Sequence, residues 1–471
     1  MLTVIIGAGT NGLYLANMLL DRGMDVLLLE RGDDFMKFYP KDEILSIGRF
    51  NSGIQNGRVI GIGGTTNLWG GQLVKFDRED VETCDGGWPI EMKILDDYYN
   101  KVLENLDVKY LDNELLNTHF RCVYTSWLKE PNFKKLFGAK LKSKIYTNVR
   151  DIDLSFYEGR VLEVNFFSNG EKIILNDVGN VVLAAGTIEN VRIMTKLREK
   201  VNCPFRDNSN IGMYFQDHLD LTIGKIVKPT SQFLTKISTR VSGGQKFQPK
   251  FVINKSSHDV LGCSFIFNLD SDFSSHYNLF KGFIKNLINN NLQVRLNLKF
   301  LKSLLIVSRH IIPILYSYFV KNLVYIPKKN IIVRIQMEQL PLRESCIYSG
   351  DGGTMINWKL SGEEQFYLLD YIKKFESLLK EGNLGSFVIN PELSKGIYNF
   401  GDTYHHSGGT IMAKNSNDGV VDGNLLVHGT KNLYVLGGSI LPSSSYANTG
   451  LTMLAFSHRL ADELWMKVSN D

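Results

Sequence analysis

Three glycines near the start of the chain constrain its fold more than any other feature. They are spaced as Gly7-x-Gly9-x-x-Gly12, between two apolar runs, Thr3–Ile6 and Val26–Leu29. Each run predicts a short buried strand, and the near-helical spacing of the apolar residues after Gly12 predicts a helix between them. In such a strand–turn–helix–strand unit, the glycines let the backbone approach a pyrophosphate and let helix and strand pack closely. The chain is therefore expected to contain a dinucleotide-binding domain.

The residue that ends the second strand indicates which dinucleotide is bound. Glu30 follows Gly12 by 18 residues, and its carboxylate is suited to bind ribose hydroxyls, while the helix N-terminus offers N–H groups to the phosphates. The ending Glu30-Arg31-Gly32 is usual in adenine-dinucleotide sites of flavoproteins, so Arg31 is also assigned to the site. The chain carries one such fingerprint, whereas an enzyme that reduces its flavin with a nicotinamide usually carries two. We therefore expect FAD without NAD.

The middle of the chain has a different pattern. Four short segments rich in β-branched or aromatic residues predict an antiparallel sheet: Leu221–Val227, Lys250–Ile253, Cys263–Phe267 and Ile331–Gln336. An amphipathic helix is predicted over 362–381, and a closing helix over Leu451–Leu464.

These patterns predict an α/β protein with two domains. A doubly wound, Rossmann-like FAD-binding domain is expected from residues 1–90, 140–222 and 400–471. A substrate or cap domain, an inserted antiparallel sheet carrying helices, is expected from residues 91–139 and 223–399.

The net charge of +4 is unevenly distributed along the chain. From Phe273 to Asn330 there are nine Lys or Arg and no Asp or Glu, so the remaining 44 basic and 49 acidic residues carry −5. This distribution excludes a whole-molecule basic field for nucleic acid. The cations of this insert, at about 273–330, alternate with apolar residues. The pattern fits amphipathic helices on a membrane surface, and equally a solvated helical elaboration of the substrate domain.

Cysteine usage and apolar run lengths bear on the compartment. Five widely spaced cysteines without C-x-x-C pairs argue against a disulfide framework and for a reducing compartment, and no residue set has metal-ligand spacing. The chain begins directly with a strand, so a secretory signal is not expected. The longest apolar stretch, Ile311–Val320, is too short to cross a bilayer. We expect a cytoplasmic protein without a metal site, with peripheral placement at the inner face of the membrane as the alternative.

Five further motifs occur in a fixed order: Gly63-Gly64-Thr65-Thr66-Asn67-Leu68-Trp69-Gly70-Gly71, His405-His406-Ser407-Gly408-Gly409-Thr410, Val420-Val421-Asp422, Asn432-Leu433-Tyr434-Val435 and Ala447-Asn448-Thr449-Gly450. With the N-terminal glycines, they resemble the glucose–methanol–choline (GMC) family of FAD-dependent alcohol oxidoreductases. The resemblance is closest to the bacterial sugar and polyol dehydrogenase branch, in which a double histidine is common.

The resemblance assigns two catalytic residues. It places the general base at His406, four residues before Thr410, and its hydrogen-bonding partner at Asn448. A neutral imidazole suits removal of a hydroxyl proton while hydride leaves the carbon, and an amide can bind the developing alkoxide. His405 is expected to point away and to act in orientation.

The resemblance also extends the set of residues expected to bind the cofactor beyond the fingerprint residues Gly7, Gly9, Gly12, Glu30 and Arg31. The added residues are Gly63, Gly64, Thr65, Asn67, Gly70, Val149, Gly186, Glu189, Gly437, Gly438 and Thr449. Several relatives attach the flavin through a histidine at the position of Leu68, so non-covalent FAD is expected.

The resemblance implies oxidation of a hydroxyl to a carbonyl by hydride transfer to flavin N5. The expected substrate is a sugar, polyol or glycan intermediate, either a small molecule or a lipid-linked sugar, and the electron acceptor is left open. Two alternatives remain: non-oxidative, lyase-like chemistry with a structural FAD, or a flavin-carrying, membrane-associated adaptor that uses residues 273–330.

Overall fold

The protein was analysed as a computed structural model, which describes residues 1–40, 43–82, 87–256, 260–269, 275–279, 298–350 and 353–470. Its strands, numbered along the chain, are β1 (Thr3–Ile6), β2 (Val26–Leu29), β3 (Lys37–Phe38), β4 (Ile44–Ser46), β5 (Val59–Ile60), β6 (Gln72–Leu73), β7 (Glu114–Leu115), β8 (Phe120–Trp127), β9 (Ile145–Tyr146), β10 (Val149–Tyr157), β11 (Arg160–Ser168), β12 (Glu171–Asn176), β13 (Asn180–Leu183), β14 (Leu219–Val227), β15 (Arg240–Ser242), β16 (Gln245–Ile253), β17 (Cys263–Leu269), β18 (Ile331–Met337), β19 (Cys346–Gly350), β20 (Gly353–Asn357), β21 (Ser386–Ile389) and β22 (Leu433–Val435).

The helices are α1 (Thr10–Asp21), α2 (Gly53–Asn56), α3 (Arg78–Glu82), α4 (Met92–Asn105), α5 (Phe133–Leu141), α6 (Thr187–Arg198), α7 (Ser231–Ile237), α8 (Leu298–Ser308), α9 (Ile311–Phe319), α10 (Glu364–Glu381), α11 (Pro391–Ser394) and α12 (Gly450–Asn470), with short 3-10 turns at Gly64–Asn67, Lys142–Lys144 and Gly438–Ile440.

A five-stranded parallel sheet lies at the centre of one half of the molecule, in the order β22-β13-β1-β2-β9. Its strands come from both ends of the chain and from the segment around residues 145–183, and β1 is buried along its whole length. Parallel strands are covered on both faces, which explains their continuous apolar runs. Helices α1 and α12 pack against each other beside this sheet. The predicted fold class, α/β with a doubly wound domain, is confirmed.

A nine-stranded antiparallel sheet forms the other half, and we call it the cap sheet. Its main path is β21-β14-β18-β17-β16-β8-β6, with β15 and β7 at the sides. It includes β6 at Gln72–Leu73 and begins β14 at Leu219, so it takes strands from segments assigned to the FAD-binding domain. The division of the chain into domains by residue number therefore remains a prediction, while the inserted antiparallel sheet itself is present.

The two faces of the cap sheet differ in chemistry because side chains alternate along each strand. One face carries aromatic residues that pack under α10, where Phe265 and Phe375 stack with ring centroids 4.6 Å apart. The other face bears polar residues of β14, β16 and β18 and turns toward the parallel-sheet half. Gln72 of β6 and Trp127 of β8 line the candidate site, and Lys250 of β16 lies behind it, in contact with Asn448.

The basic insert is described only in part. Helices α8 and α9 lie within it, whereas residues 280–297 lie outside the described residues. In the described ranges, no helix combines the length and apolar character needed to span a bilayer.

Candidate active site

A cavity of about 1170 Å³ runs between the parallel sheet and the cap sheet. It begins at the carboxyl ends of β1 and β2, where ligands bind in open α/β sheets, and it ends at the loop around His405. We call these two parts the nucleotide end and the reaction end.

Two positions of the glycine loop at the nucleotide end, Gly7 and Gly12, admit only glycine. Gly7 has a φ of +110°, and a Cβ there would lie 2.6 Å from the carbonyl oxygen of Ala184. A Cβ on Gly12 would lie 1.9 Å from the carbonyl oxygen of Gly7. Gly9 is the N-cap of α1, so the first N–H groups of that helix are available at the cavity. The loop therefore brings backbone donors close to the cavity, as a pyrophosphate requires.

Glu30 is held at the end of β2 by the surrounding backbone. Its Oε1 accepts from the N–H groups of Gly32 (2.9 Å) and Gly61 (3.1 Å), and its Oε2 accepts from Ala8 (2.9 Å). A carboxylate can accept about four hydrogen bonds, so a position on Oε2 remains for a hydroxyl. The expected ribose contact is compatible with this geometry.

An orphaned acceptor also fits a bound cofactor. Asn11 lines the cavity beside the glycine loop, and its buried Oδ1 has no hydrogen-bond partner. Buried polar atoms are rarely left unpaired, so a donor from a ligand is expected there. Together, the glycine loop with Asn11 and the carboxylate of Glu30 fit the adenine dinucleotide that the sequence predicts.

A cluster of charged side chains surrounds the nucleotide end. Glu189 forms ion pairs with Arg58 and Arg192, and Arg31 and Arg192 both pair with Glu43. Burial raises the pKa of Glu43, but the hydrogen bonds from the two arginines outweigh it and hold this pKa below its ordinary value. Arg31 and Glu189 line the cavity, and each is already paired with an oppositely charged side chain. These ion pairs hold the cavity wall at the nucleotide end in place.

Three predicted cofactor residues do not line the cavity. Gly12 packs against the glycine loop, as described above. Gly63 has a φ of +98°, and Asn67 donates through Nδ2 to the carbonyl oxygens of Ile62 (3.1 Å) and Gly64 (2.9 Å). These residues hold the loop that faces the cavity; they do not form its wall.

The other predicted cofactor residues all line the cavity: Gly7, Gly9, Glu30, Arg31, Gly64, Thr65, Gly70, Val149, Gly186, Glu189, Gly437, Gly438 and Thr449. Leu68 lines it too, and its side chain offers no nucleophile for a covalent bond to a flavin.

At the reaction end, Asn448 contacts His405. Its Nδ2 lies 3.1 Å from His405 Nε2, and the other ring nitrogen, Nδ1, lies 2.8 Å from Thr403 Oγ1. Burial lowers the pKa of His405 well below its ordinary value, so its imidazole is neutral at pH 7. This arrangement places a neutral imidazole and an amide side by side on the cavity wall.

The expected pairing of His406 with Asn448 requires correction. His406 turns toward α2, where its Nε2 lies 3.1 Å from Asn51 Oδ1. That oxygen also accepts from the N–H of Ile54, and Asn51 Nδ2 donates to Asp217, so the amide orientation is defined from both sides. His406 Nε2 must therefore carry a proton and donate it. Adjacent residues on an extended chain point oppositely, and the structure turns His405, not His406, toward Asn448.

Asp217 organises the segment that carries both histidines. Its Oδ1 accepts from the backbone N–H groups of Thr403 (3.3 Å) and His405 (3.1 Å) and from the hydroxyl of Thr403 (3.2 Å). Burial, together with the charge of Asp402, raises the pKa of Asp217 to about 7, although these hydrogen bonds lower it. The carboxylate is buried and touches no open part of the cavity, so it positions the segment.

The polar face of the cap sheet reaches this end of the cavity. Gln248 Oε1 accepts from Nε2 of Gln72, which lines the cavity, and Lys250 Nζ lies 3.2 Å from Asn448 Oδ1. Strand register places further polar residues on the same face: Asp220, Ser264, Arg334 and Gln336. Of these residues, Gln72 and Asn448 line the cavity, whereas Gln248 and Lys250 lie behind it and are hydrogen-bonded to them.

Sequence reasoning missed Asn51, Asp217, Lys250 and Thr403. Thr403 stands two residues before His405, so its proximity could have been noticed. The other three lie in segments without a motif and reach the site only through long-range packing. In the part of the chain that the structure describes, no cluster of three His, Cys, Asp or Glu side chains is placed to hold a metal ion.

Comparisons with known proteins agree with this geometry. Residues 354–457 match the family model described as GMC oxidoreductase. Among solved structures, the chain is similar to pyridoxine 4-oxidase from Mesorbium loti, with 15% sequence identity, a TM-score of 0.54 and 98% of each chain covered. At this identity the likeness shows the fold. No curated protein sequence matches the chain significantly.

Proposed function

We propose that this chain, residues 354–457 of which match the GMC oxidoreductase family model, binds FAD and oxidises a CH–OH group of a sugar, polyol or glycan intermediate with His405 as the base. The observation that carries this proposal is the contact between His405 and Asn448 at the reaction end of the cavity. This assignment replaces His406 with its neighbour, since Nε2 of His406 is a donor to Asn51.

Each residue at the reaction end has a separate role in the proposed reaction. When bound, FAD supplies the hydride acceptor. A substrate hydroxyl takes the place of the Asn448 N–H at the single lone pair of His405 Nε2, which then accepts the hydroxyl proton. The displaced N–H of Asn448 binds the substrate oxygen as alkoxide character develops. Thr403 accepts from His405 Nδ1 and keeps the ring in one orientation, since Thr403 is itself held by Asp217.

The reaction end supports a hydroxyl-rich substrate. The amides of Gln72 and Asn448 line it together with Thr403, and Gln248 and Lys250 hold these two amides from behind. A site built to hydrogen-bond a substrate discriminates strongly against analogues without the matching groups, because its own polar groups are then left unpaired. A simple aliphatic alcohol is therefore expected to be a poor substrate.

Anaerobic bleaching of the bound flavin tests the proposed function. Purified protein is mixed without oxygen with a panel of sugars and polyols, with 1-butanol as the control. We expect at least one sugar or polyol to bleach the flavin and butanol to leave it oxidised. Protein isolated without FAD, or bleaching by butanol alone, would contradict the proposal. Turnover of a hydroxylated compound without bleaching would instead favour the lyase-like alternative.

We also propose that the described part of the basic insert binds an anionic membrane surface. Helix α9 has no buried residue, and its neighbourhood exposes Ile312 (80%), Phe319 (73%) and Val320 (64%). Lys302, Arg309 and Lys321 are exposed nearby, and the sequence has no carboxylate between Phe273 and Asn330 to repel an anionic lipid. Apolar side chains with flanking cations are suited to the headgroup region of a bilayer. Such a location would suit a lipid-linked sugar as the substrate.

Liposome co-sedimentation tests the membrane proposal. We expect binding to vesicles of phosphatidylcholine with phosphatidylglycerol and much weaker binding to phosphatidylcholine alone. The variant I312S/F319S should lose most of this binding, whereas L115S, which removes an equally exposed leucine of β7, should retain it. Equal binding to both vesicle types, or concentration-dependent dimerisation in place of vesicle binding, would overturn the proposal.

A further inference from the structure

Lys250 is a buried cation beside the reaction end. It lies on β16, its residue is 2% exposed, and its Nζ is 3.2 Å from Asn448 Oδ1 and 3.3 Å from Gln336 Oε1. Burial alone lowers the pKa of Lys250, to about 8, and no charged group among the described residues offsets it. At neutral pH, an ammonium group is thus held mainly by two amide oxygens.

This ammonium group determines which way the amide of Asn448 faces. An ammonium group donates hydrogen bonds and accepts none, so the amide oxygen of Asn448 must face Lys250. The NH₂ group of the same amide then faces His405 Nε2, at 3.1 Å. Without Lys250, the two orientations of the amide would differ much less in energy, because a rotation by 180° exchanges an oxygen for a nitrogen of similar size.

The orientation of the amide in turn determines the tautomer of His405. The NH₂ group of Asn448 can only donate, so His405 Nε2 must be the unprotonated nitrogen. The ring proton then lies on Nδ1, which donates to Thr403 Oγ1, and the Thr403 hydroxyl donates to Asp217 Oδ1. In the chain of hydrogen bonds from Lys250 to Asp217, each group therefore donates to the next one.

We propose that Lys250 is a positioning residue, which orients Asn448 so that His405 presents an unprotonated Nε2 to the substrate. This inference rests on the proposed role of His405 and deepens it. Lys250 contacts the amide side chain and acts on the reaction through it. With the amide turned round, its oxygen would favour a proton on Nε2, and that nitrogen could no longer accept the proton of a hydroxyl.

A nitrogen-15 NMR measurement of the histidine rings tests this inference without turnover. In FAD-loaded protein with labelled histidine at pH 6.5, the His405 signals are identified by their absence from His405→Gln. We expect Nε2 of the wild type to show the shift of an unprotonated ring nitrogen. Lys250→Met should shift this signal toward a mixture of tautomers, and Lys246→Met, an exposed lysine of the same strand, should leave it unchanged. A protonated Nε2 in the wild type would overturn the inference even if Lys250→Met did not fold.

A double-mutant cycle supplies the kinetic test. Lys250→Met should slow anaerobic flavin reduction about 10- to 100-fold with little change in FAD content, as expected for loss of correctly oriented proton transfer. In an Asn448→Ala background, the same substitution should cost about threefold or less, because residues that act through one contact are not additive. Equal losses in both backgrounds would show that Lys250 acts independently of Asn448. If no alcohol bleaches the wild-type flavin, the proposed function fails, while the NMR result still decides the role of Lys250.

Discussion

At the nucleotide end of the cavity, the glycine loop and the end of β2 offer backbone groups of short contiguous segments to a ligand. At the reaction end, the groups that can act on a ligand are side chains from distant segments. The glycine loop and the end of β2 lie within the first 32 residues. His405, Asn448, Asp217 and Lys250 are brought together from four separate parts of the chain. The first end is determined by local backbone geometry, and the second by how the cap sheet docks on the parallel-sheet half. Damage to the first should remove the cofactor, and damage to the second should remove the reaction while the cofactor stays bound.

The largest effect is expected from Gly12→Ala, at the nucleotide end. The new Cβ would lie 1.9 Å from the carbonyl oxygen of Gly7, and neither backbone segment can yield without distorting the loop. We expect no FAD-loaded protein, measured by flavin absorbance after gel filtration. Gly138→Ala is the control, since its Cβ would meet only the flexible side chain of Lys134, at 3.3 Å. Normal flavin content in Gly12→Ala would show that the cradle tolerates a side chain.

The next largest effect is expected from Asn448→Ala, at the reaction end. Removal of a donor to a developing alkoxide costs about 100- to 1,000-fold in rate. We expect a loss of this size in the rate constant for anaerobic flavin reduction, with flavin content near that of the wild type. A variant that loses FAD in proportion to its activity would break the distinction between the two ends.

A smaller effect is expected from pH, also at the reaction end. Burial lowers the pKa of Lys250 to about 8. Above this pH its neutral amine can accept as well as donate, so it no longer enforces one orientation of Asn448. The two histidines near Lys250, His218 and His405, both have pKa values lowered by burial and are uncharged in this range. We expect flavin reduction to slow about tenfold as pH rises through about 8, the lower end of the loss expected for Lys250→Met. Lys250→Met should lack this step, and a step that persists in this variant would assign it to another group.

The smallest effect is expected from Glu30→Gln, at the nucleotide end. The amide keeps one acceptor oxygen but directs an NH₂ group at backbone donors that the carboxylate now accepts from. We expect about tenfold weaker FAD binding, which corresponds to the loss of one charge-assisted hydrogen bond. Flavin fluorescence during dilution measures this, and the reduction rate of the fully loaded variant should stay near that of the wild type. An unchanged FAD affinity would show that the carboxylate charge is dispensable.

The sequence predicts the nucleotide end of the cavity better than the reaction end. Strands β1 and β2 were predicted, and most of the residues predicted to bind the cofactor line the cavity, because glycine spacing and apolar runs act over a few residues. The sequence also predicted that both histidines lie in the site region, but it paired His406 with Asn448, whereas the structure pairs His405 with Asn448. Both histidines line the cavity, and which of them contacts Asn448 depends on the docking of Asn51 and Asp217, which no local spacing encodes. Lys250 was predicted only as part of a strand.

The proposed reaction depends most on His405 as the base, and one measurement tests this role directly. The rate constant of anaerobic flavin reduction is compared in His405→Ala and His406→Ala, both loaded with FAD. We predict that His405→Ala loses about 100- to 10,000-fold, the range for a general base. His406→Ala, which loses the donor to Asn51 and a ring contact with Phe215, should stay within about tenfold of the wild type. The reverse order, with His406→Ala the more impaired of two equally loaded variants, would contradict the account.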